Sequence, residues 1–186
     1  MKRLTEIPEL ISTLIFHWTA IGRLDKLWAS NEYAELISFC DLMLSKDPSD
    51  YLALFYRGLA NEKTNRFEIA IKDLIKSETM LVTYKQKSLV KEYFVRIPIQ
   101  LSRIYGRLQN MEKAFDYADK AVQANNEEID GLKWRASLKE GTGNLLGASE
   151  DLNIALRRRP NDKSLTKLRD RLTHLIIEDK RERAGR

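Results

Sequence analysis

The stretch MEKAFDYADKAVQANN at residues 111–126 is matched 34 positions later by LLGASEDLNIALRRRP at residues 145–160. Apolar or small residues occupy the same positions of both copies, and in the first copy these are Met111, Ala114, Ala118 and Ala121. Steps of three, four and three residues place side chains on one face of an α-helix. Each copy is therefore predicted to be a helix with one packed face.

A second pair of segments has the same spacing of 34 residues. Tyr33, Leu36, Cys40 and Met43 align with Phe67, Ala70, Leu74 and Ser77. Together the two pairs define four repeats, at about residues 17–50, 51–84, 95–128 and 129–162. In the last three repeats, residues that break helices precede the helix with this packed face. They lie at 61–65, 106–110 and 141–144. The sequence thus predicts an all-α chain built from antiparallel helix pairs.

The first helix of each later pair carries a small residue in its middle. Gly58, Ser102 and Ala136 occupy this position in the second, third and fourth repeats. Small side chains let two helices approach closely, because the ridges of one helix can then enter the grooves of the other. We expect the second helix of each pair to pack there.

These residues resemble the tetratricopeptide repeat (TPR) family. The second repeat has Leu54, Gly58, Asn65, Phe67, Ala70 and Leu74 at the family's pattern positions, and the fourth has Gly143, Leu145, Ala148, Ala155 and Pro160. The resemblance covers about residues 17–162, and the first repeat matches least well. It implies a right-handed α-solenoid with capping helices, in which the first helices line a concave groove that binds a protein or peptide partner.

The chain departs from a regular array at two places. Ten extra residues separate the second and third repeats, so we expect an inserted helical segment at 83–94. A helix from Gln86 to Leu108 would contain Pro98, and we expect it to bend near Phe94 to Pro98. After the fourth repeat, residues 163–180 are predicted to form a capping helix, which shields the end of a repeat array. The whole chain, residues 1–186, is expected to be one array.

The composition and charge of the chain say less about its function than the repeats do. The net charge is +5, and it is concentrated near the end of the chain, where residues 157–186 hold 11 Lys or Arg against 5 Asp or Glu. No run of about 20 apolar residues suggests a membrane helix, and no export signal is recognisable. The single cysteine fits a reducing compartment. We therefore expect a cytoplasmic protein that does not enter a membrane.

No pattern in the sequence indicates catalysis, a cofactor or a metal site. His17 and His174 have no His or Cys partner at metal-ligand spacing. The run from Gly141 to Gly143 falls where the repeat needs a turn, and it lacks the Lys of a phosphate-binding loop. Cys40 occupies a core position, so we expect a buried, unreactive thiol. The prediction is a protein that is not an enzyme and has no cofactor.

A basic stripe is the main candidate for partner binding. Arg96, Arg103 and Arg107 fall within one narrow arc of a helix. The repeat phase places this basic stripe on the groove side, with Lys133 next to it. Such a basic surface suits a partner segment that carries carboxylates. Trp18, Trp28, Phe55 and Leu59 are further candidates in or beside the groove, and Trp134 is expected beside it. The aromatic side chains could instead pack between first helices. An alternative is that these arginines only pair with Glu62, Asp130 or Glu140.

The leading hypothesis is a non-catalytic adaptor or a chaperone-like module, and two alternatives stay open. One, which we rank below partner binding, is nucleic-acid binding through the basic end of the chain. Its contacts would be Arg157, Arg158, Arg159, Lys163, Lys167, Arg169 and Arg171. The other is self-association into a homodimer. The family's clamp for the carboxylate of heat-shock chaperones is not expected, because Ile21 and Asp25 replace its Lys and Asn.

Overall fold

The computed structural model describes residues 19–83, 91–124 and 129–184, and no strand occurs among them. The helices are α1 (residues 19–29), α2 (Tyr33–Lys46), α3 (Tyr51–Lys63), α4 (Phe67–Thr83), α5 (Tyr93–Arg107), α6 (Met111–Ala124), α7 (Asp130–Gly141), α8 (Leu145–Arg158) and α9 (Lys163–Ala184). The predicted all-α fold class is confirmed. The chain forms two compact units, the first ending at Met80 and the second beginning at Leu81.

Neighbouring helices in sequence pack against each other within each unit. In the first unit α2 contacts α3, and in the second unit the helices from α5 to α9 contact one another in order. The small residues that recur on the second helices, Ala70, Ala114 and Ala148, are all fully buried. This agrees with the sequence pattern, which predicts that the small side chains lie on the faces where helices meet.

The turn inside each helix pair has one backbone geometry that recurs with the repeat. Asn31, Asn65, Gln109 and Gly143 all have positive φ angles, from 58° to 80°. In each turn the backbone N–H of the following residue donates to a carbonyl five residues earlier in the preceding helix, as from Asn110 to Tyr105. This arrangement ends a helix with a left-handed residue and satisfies its last carbonyl groups. The four helix pairs are therefore closed by the same turn.

Close helix approach is visible at two glycines. A Cβ atom at Gly58 would lie 2.9 Å from the side chain of Leu74 and 3.3 Å from the carbonyl oxygen of Ala70. At Gly131 the same atom would lie 2.7 Å from the carbonyl oxygen of Ala121. Gly58 has the predicted role. The sequence analysis missed Gly131, which brings α7 against the backbone of α6.

Two clusters of ion pairs occur, each built around one arginine. Each cluster joins three consecutive helices. In the first unit, Arg57 on α3 donates to Asp41 on α2 at 2.6 Å and to Asp73 on α4 through Nε and Nη2 at 2.8 and 2.7 Å. These hydrogen bonds to Asp73 and Asp41 raise the pKa of the Arg57 guanidinium, although burial opposes the rise. The carboxylate of Asp73 is buried, with 5% of its side-chain surface exposed.

The second cluster repeats the first in the other unit. Arg135 on α7 donates to Asp119 on α6 at 2.7 Å and to both carboxylate oxygens of Asp151 on α8. Here Lys139 adds a second cation, 2.9 Å from Asp151. In both clusters the two aspartates lie 16 residues before and after the arginine.

The structure changes the predicted ends of two helices. A turn at residues 91–92 precedes α5, so the helix expected from Gln86 to Leu108 is not continuous there. Pro98 lies inside α5, and the bend expected near it stays a prediction. Residues 84–90, most of the predicted insertion, lie outside the described part of the chain. At the other end α9 continues to Ala184 and buries Leu165 and Leu172. No described helix has the length and apolarity needed to cross a bilayer.

Cys40 on α2 is fully buried, as predicted. Burial raises the pKa of its thiol to about 12. Because the thiolate is the reactive form, we expect iodoacetamide at pH 8 to leave the folded protein unmodified and to alkylate it fully in concentrated urea. Mass spectrometry gives a direct readout, since the chain has one cysteine. Rapid alkylation of the folded chain at pH 8 would contradict the placement of this side chain.

Candidate functional site

Two surface cavities lie side by side between α5 and α7, within the second unit. One, which we name the Lys133 cavity, has a volume of about 400 Å³ and is lined by Arg96, Arg103, Lys133 and Trp134, among others. The other, the Met111 cavity, has a volume of about 340 Å³, and its lining includes Arg103, Arg107, Met111 and Trp134. The structure therefore brings together four of the predicted binding residues, Arg96, Arg103, Arg107 and Lys133.

Trp134 is held in place at the boundary between the two cavities. Its indole Nε1 donates to the hydroxyl of Ser102 at 2.7 Å, and that hydroxyl donates to the carbonyl oxygen of Ala114 at 2.6 Å. The guanidinium of Arg103 lies over the indole, 4.8 Å from the ring centroid. The cation–π contact and the partly buried hydrogen bond together hold the ring in place. Trp134, expected only beside the groove, is thus central to the site.

The site is rich in positive charge. The described residues place no carboxylate in an ion pair with Arg103, whose contact is with the indole of Trp134. Arg96 lies 3.7 Å from Glu92 on its own helix. Among the alternative partners, Glu140 is bound by Arg171 at 2.7 Å, and Asp130 lines the Lys133 cavity. Arg103 therefore keeps guanidinium N–H groups that can donate to a ligand.

Phe55, Leu59 and Trp28 do not line these two cavities. Phe55 and Leu59 are 0% and 2% exposed, so their side chains do not face an open groove, and the alternative for Phe55, packing between helices, agrees with its burial. The reason is that α3 is enclosed on nearly all sides and does not present one open face. Trp28 belongs to the first unit, where its ring lies 5.6 Å from Tyr33. Trp18 lies outside the described residues.

Some basic residues near the end of the chain are paired with acidic residues. Arg169 pairs with Asp170 at 2.8 Å, and Arg171 pairs with Glu140 on α7. Arg157, Lys163 and Lys167 are exposed. Nucleic-acid binding by this end of the chain stays an untested alternative.

The described ranges contain no cluster of three His, Cys, Asp or Glu side chains that could hold a metal ion. His174 is exposed on α9, and Cys40 is buried on α2. Neither residue lines the Lys133 or the Met111 cavity.

Comparison with known proteins gives matches in structure and not in sequence. The sequence matches no protein-family model, and no curated protein matches it significantly. The first TPR domain of Spaghetti (RPAP3), bound to the HSP90 peptide SRMEEVD, is similar with a TM-score of 0.54 and 19% identity. That match covers 70% of this chain and 96% of the other. The C-terminal TPR-containing domain of an FK506-binding protein from Plasmodium falciparum gives a TM-score of 0.53, at 18% identity, over 70% and 91% of the two chains.

A longer match is with MamA from Desulfovibrio magneticus RS-1. Its TM-score is 0.64 at 10% identity, and the match covers 90% of this chain and 88% of that one. Structural matches at such low sequence identity show the fold and do not identify a ligand. The recurring turns, the small residues at the helix contacts and these matches agree, and the chain has the tetratricopeptide repeat fold.

Proposed function

We propose that this chain is a non-catalytic binding module that holds a carboxylate-bearing segment of a partner protein on the face between α5 and α7. The observation that carries the proposal is the convergence of Arg96, Arg103, Arg107 and Lys133 around Trp134. A fixed aromatic ring next to arginines is the composition of energetically dominant patches in protein interfaces.

Charge supports an acidic ligand. The Lys133 cavity has three cationic side chains in its lining and one carboxylate, that of Asp130. A partner carboxylate can accept two parallel hydrogen bonds from the planar guanidinium of Arg103, which holds no carboxylate among the described residues. The TPR domain of Spaghetti gives a precedent within this fold, since it is bound to a peptide that contains two glutamates and an aspartate.

The test reverses charge at the proposed site. The variant Arg103→Glu with Arg107→Glu should lose at least tenfold in affinity for partners captured by the parent protein, because attraction becomes repulsion. Both side chains are exposed, so the unfolding temperature should change little. Partners are first captured from the native cell, identified by mass spectrometry, and then measured as purified proteins.

A matched control carries the same charge change elsewhere. Lys167→Glu with Arg181→Glu alters two exposed residues of α9 by the same four units of charge. Partner binding should survive in this control at 150 mM salt. If the control lost binding and the Arg103 and Arg107 variant kept it, the face between α5 and α7 would not be the binding site.

A further inference from the structure

Glycine inside a helix lowers stability relative to alanine, so each helix glycine calls for a physical reason. Gly58 and Gly131 have one, because a Cβ atom at either would lie within 3.0 Å of neighbouring atoms. Gly143, in a turn, has another, since its φ of +80° disfavours other residues. These glycines are explained by the fold.

Gly106 on α5 and Gly141 on α7 have neither reason. A Cβ atom at either position would meet nothing within 4 Å, and neither residue has a positive φ. What they share is a place in the lining of the Met111 cavity. Gly22 is also open, but it lies in the first unit and outside this cavity.

We infer that Gly106 and Gly141 keep the Met111 cavity open for an apolar side chain of the bound partner segment. This inference rests on the proposed function and adds a second requirement to the ligand. Any larger residue at either glycine would put side-chain atoms into the space that the ligand fills. The two glycines are therefore residues that determine specificity.

An apolar occupant fits the walls of this cavity. Met111, Leu138 and the indole of Trp134 supply apolar surface, and the two glycines leave the cavity between them unfilled. Burying an apolar side chain against such surface is favourable in proportion to the area removed from water. Methionine can also adjust its shape to different occupants.

The neighbouring Lys133 cavity calls for the opposite chemistry. Its lining holds Arg96, Arg103 and Lys133 against the single carboxylate of Asp130. The ligand class is therefore a peptide segment with a carboxylate on one side of the stacked Arg103 and Trp134 pair and a large apolar side chain on the other. Neither feature alone satisfies both cavities.

The experiment uses the full chain and a phage-displayed library of random 12-residue peptides. Peptides selected on the parent protein should be enriched in sequences that combine acidic residues with a Leu, Ile, Met or Phe. Synthetic copies are then titrated against the parent, Gly106→Leu, Gly141→Leu and the Arg103→Glu, Arg107→Glu variant. Gly106→Leu should reduce affinity at least tenfold, while Gly106→Ala, which adds one methyl group, should reduce it much less.

The outcomes separate the inference from the proposed function. Peptides that bind in an Arg103-dependent way but are acidic only, or that ignore both leucine variants, overturn the apolar cavity and leave the proposed function standing. A library that yields no Arg103-dependent binder overturns both. Thermal unfolding checks the leucine variants, which should be at least as stable as the parent because leucine favours helix. Should one unfold early, the other leucine variant carries the test.

Discussion

Replacing Arg57 by methionine should destabilise the first unit by about 3 kcal/mol. Methionine keeps the aliphatic part of the side chain but removes the cation that binds Asp41 and Asp73. The carboxylate of Asp73, with 5% of its side chain exposed, would then be buried without its cation. The figure lies at the lower end of the range for breaking a buried ion pair, because Arg57 itself keeps 25% of its side-chain surface exposed.

The second cluster offers a matched comparison. Arg135→Met also removes the central arginine, but Lys139 remains 2.9 Å from Asp151 and continues to neutralise it. We therefore expect a smaller loss, about 1–2 kcal/mol, and a further loss when Lys139→Met is added. Urea unfolding followed by circular dichroism measures all three variants. Equal losses for Arg57→Met and Arg135→Met would show that Lys139 does not compensate.

Gly131→Ala should destabilise the second unit by about 1–3 kcal/mol, although alanine favours helix. The added Cβ would lie 2.7 Å from the carbonyl oxygen of Ala121 and 2.9 Å from the backbone nitrogen of Val122. Backbone atoms within a helix cannot turn away as a side chain can, so α6 and α7 must separate. Because the protein interior is closely packed, this separation would remove van der Waals contacts between the two helices.

Gly106→Ala is the control, because it makes the same chemical change in open space. It should stabilise the protein by about 0.5 kcal/mol, since alanine loses less backbone freedom than glycine on folding. The two variants should thus move the midpoint of thermal unfolding in opposite directions. A rise for both would mean that α6 and α7 lie farther apart than their contact at Gly131 implies.

The repeat was predictable because packing imposes a period. The small residues Ala114 and Ala148 recur at one phase, and any helix pair that packs there must repeat them. The basic stripe on α5 was predictable for the same reason, since Arg96, Arg103 and Arg107 follow helical spacing. Periodicity does not give the distance between two particular helices. The role of Gly131 in the close approach of α6 and α7 could therefore not be predicted from the sequence.

The ion clusters were missed although a signal existed. Arg57 and Arg135 occupy the same repeat position, each with an aspartate 16 residues before and after it. In the third repeat Leu101 stands at that position, so a search for a residue present in every repeat passes over the pattern. A search for coupled residues, arginine together with its two aspartates, would have found it.

The burial of Phe55 and Leu59 could not be predicted from repeat phase. The phase assigns a side chain to one side of its helix, but it does not say whether that side is covered. Trp134 was assigned to the edge of the groove for a related reason. Its position depends on a hydrogen bond to Ser102, and such a bond between two helices leaves no trace in the period of apolar residues.

The ion clusters also change what should be regarded as one building block of this chain. Each arginine takes one aspartate from the helix before it and one from the helix after it, so α2, α3 and α4 are tied together, as are α6, α7 and α8. A cut at the sequence repeat, between residues 50 and 51 or between 128 and 129, would separate an arginine from one of its carboxylates. Recombination between related proteins is therefore better placed between α4 and α6, for instance at the turn between α5 and α6, where neither cluster is divided.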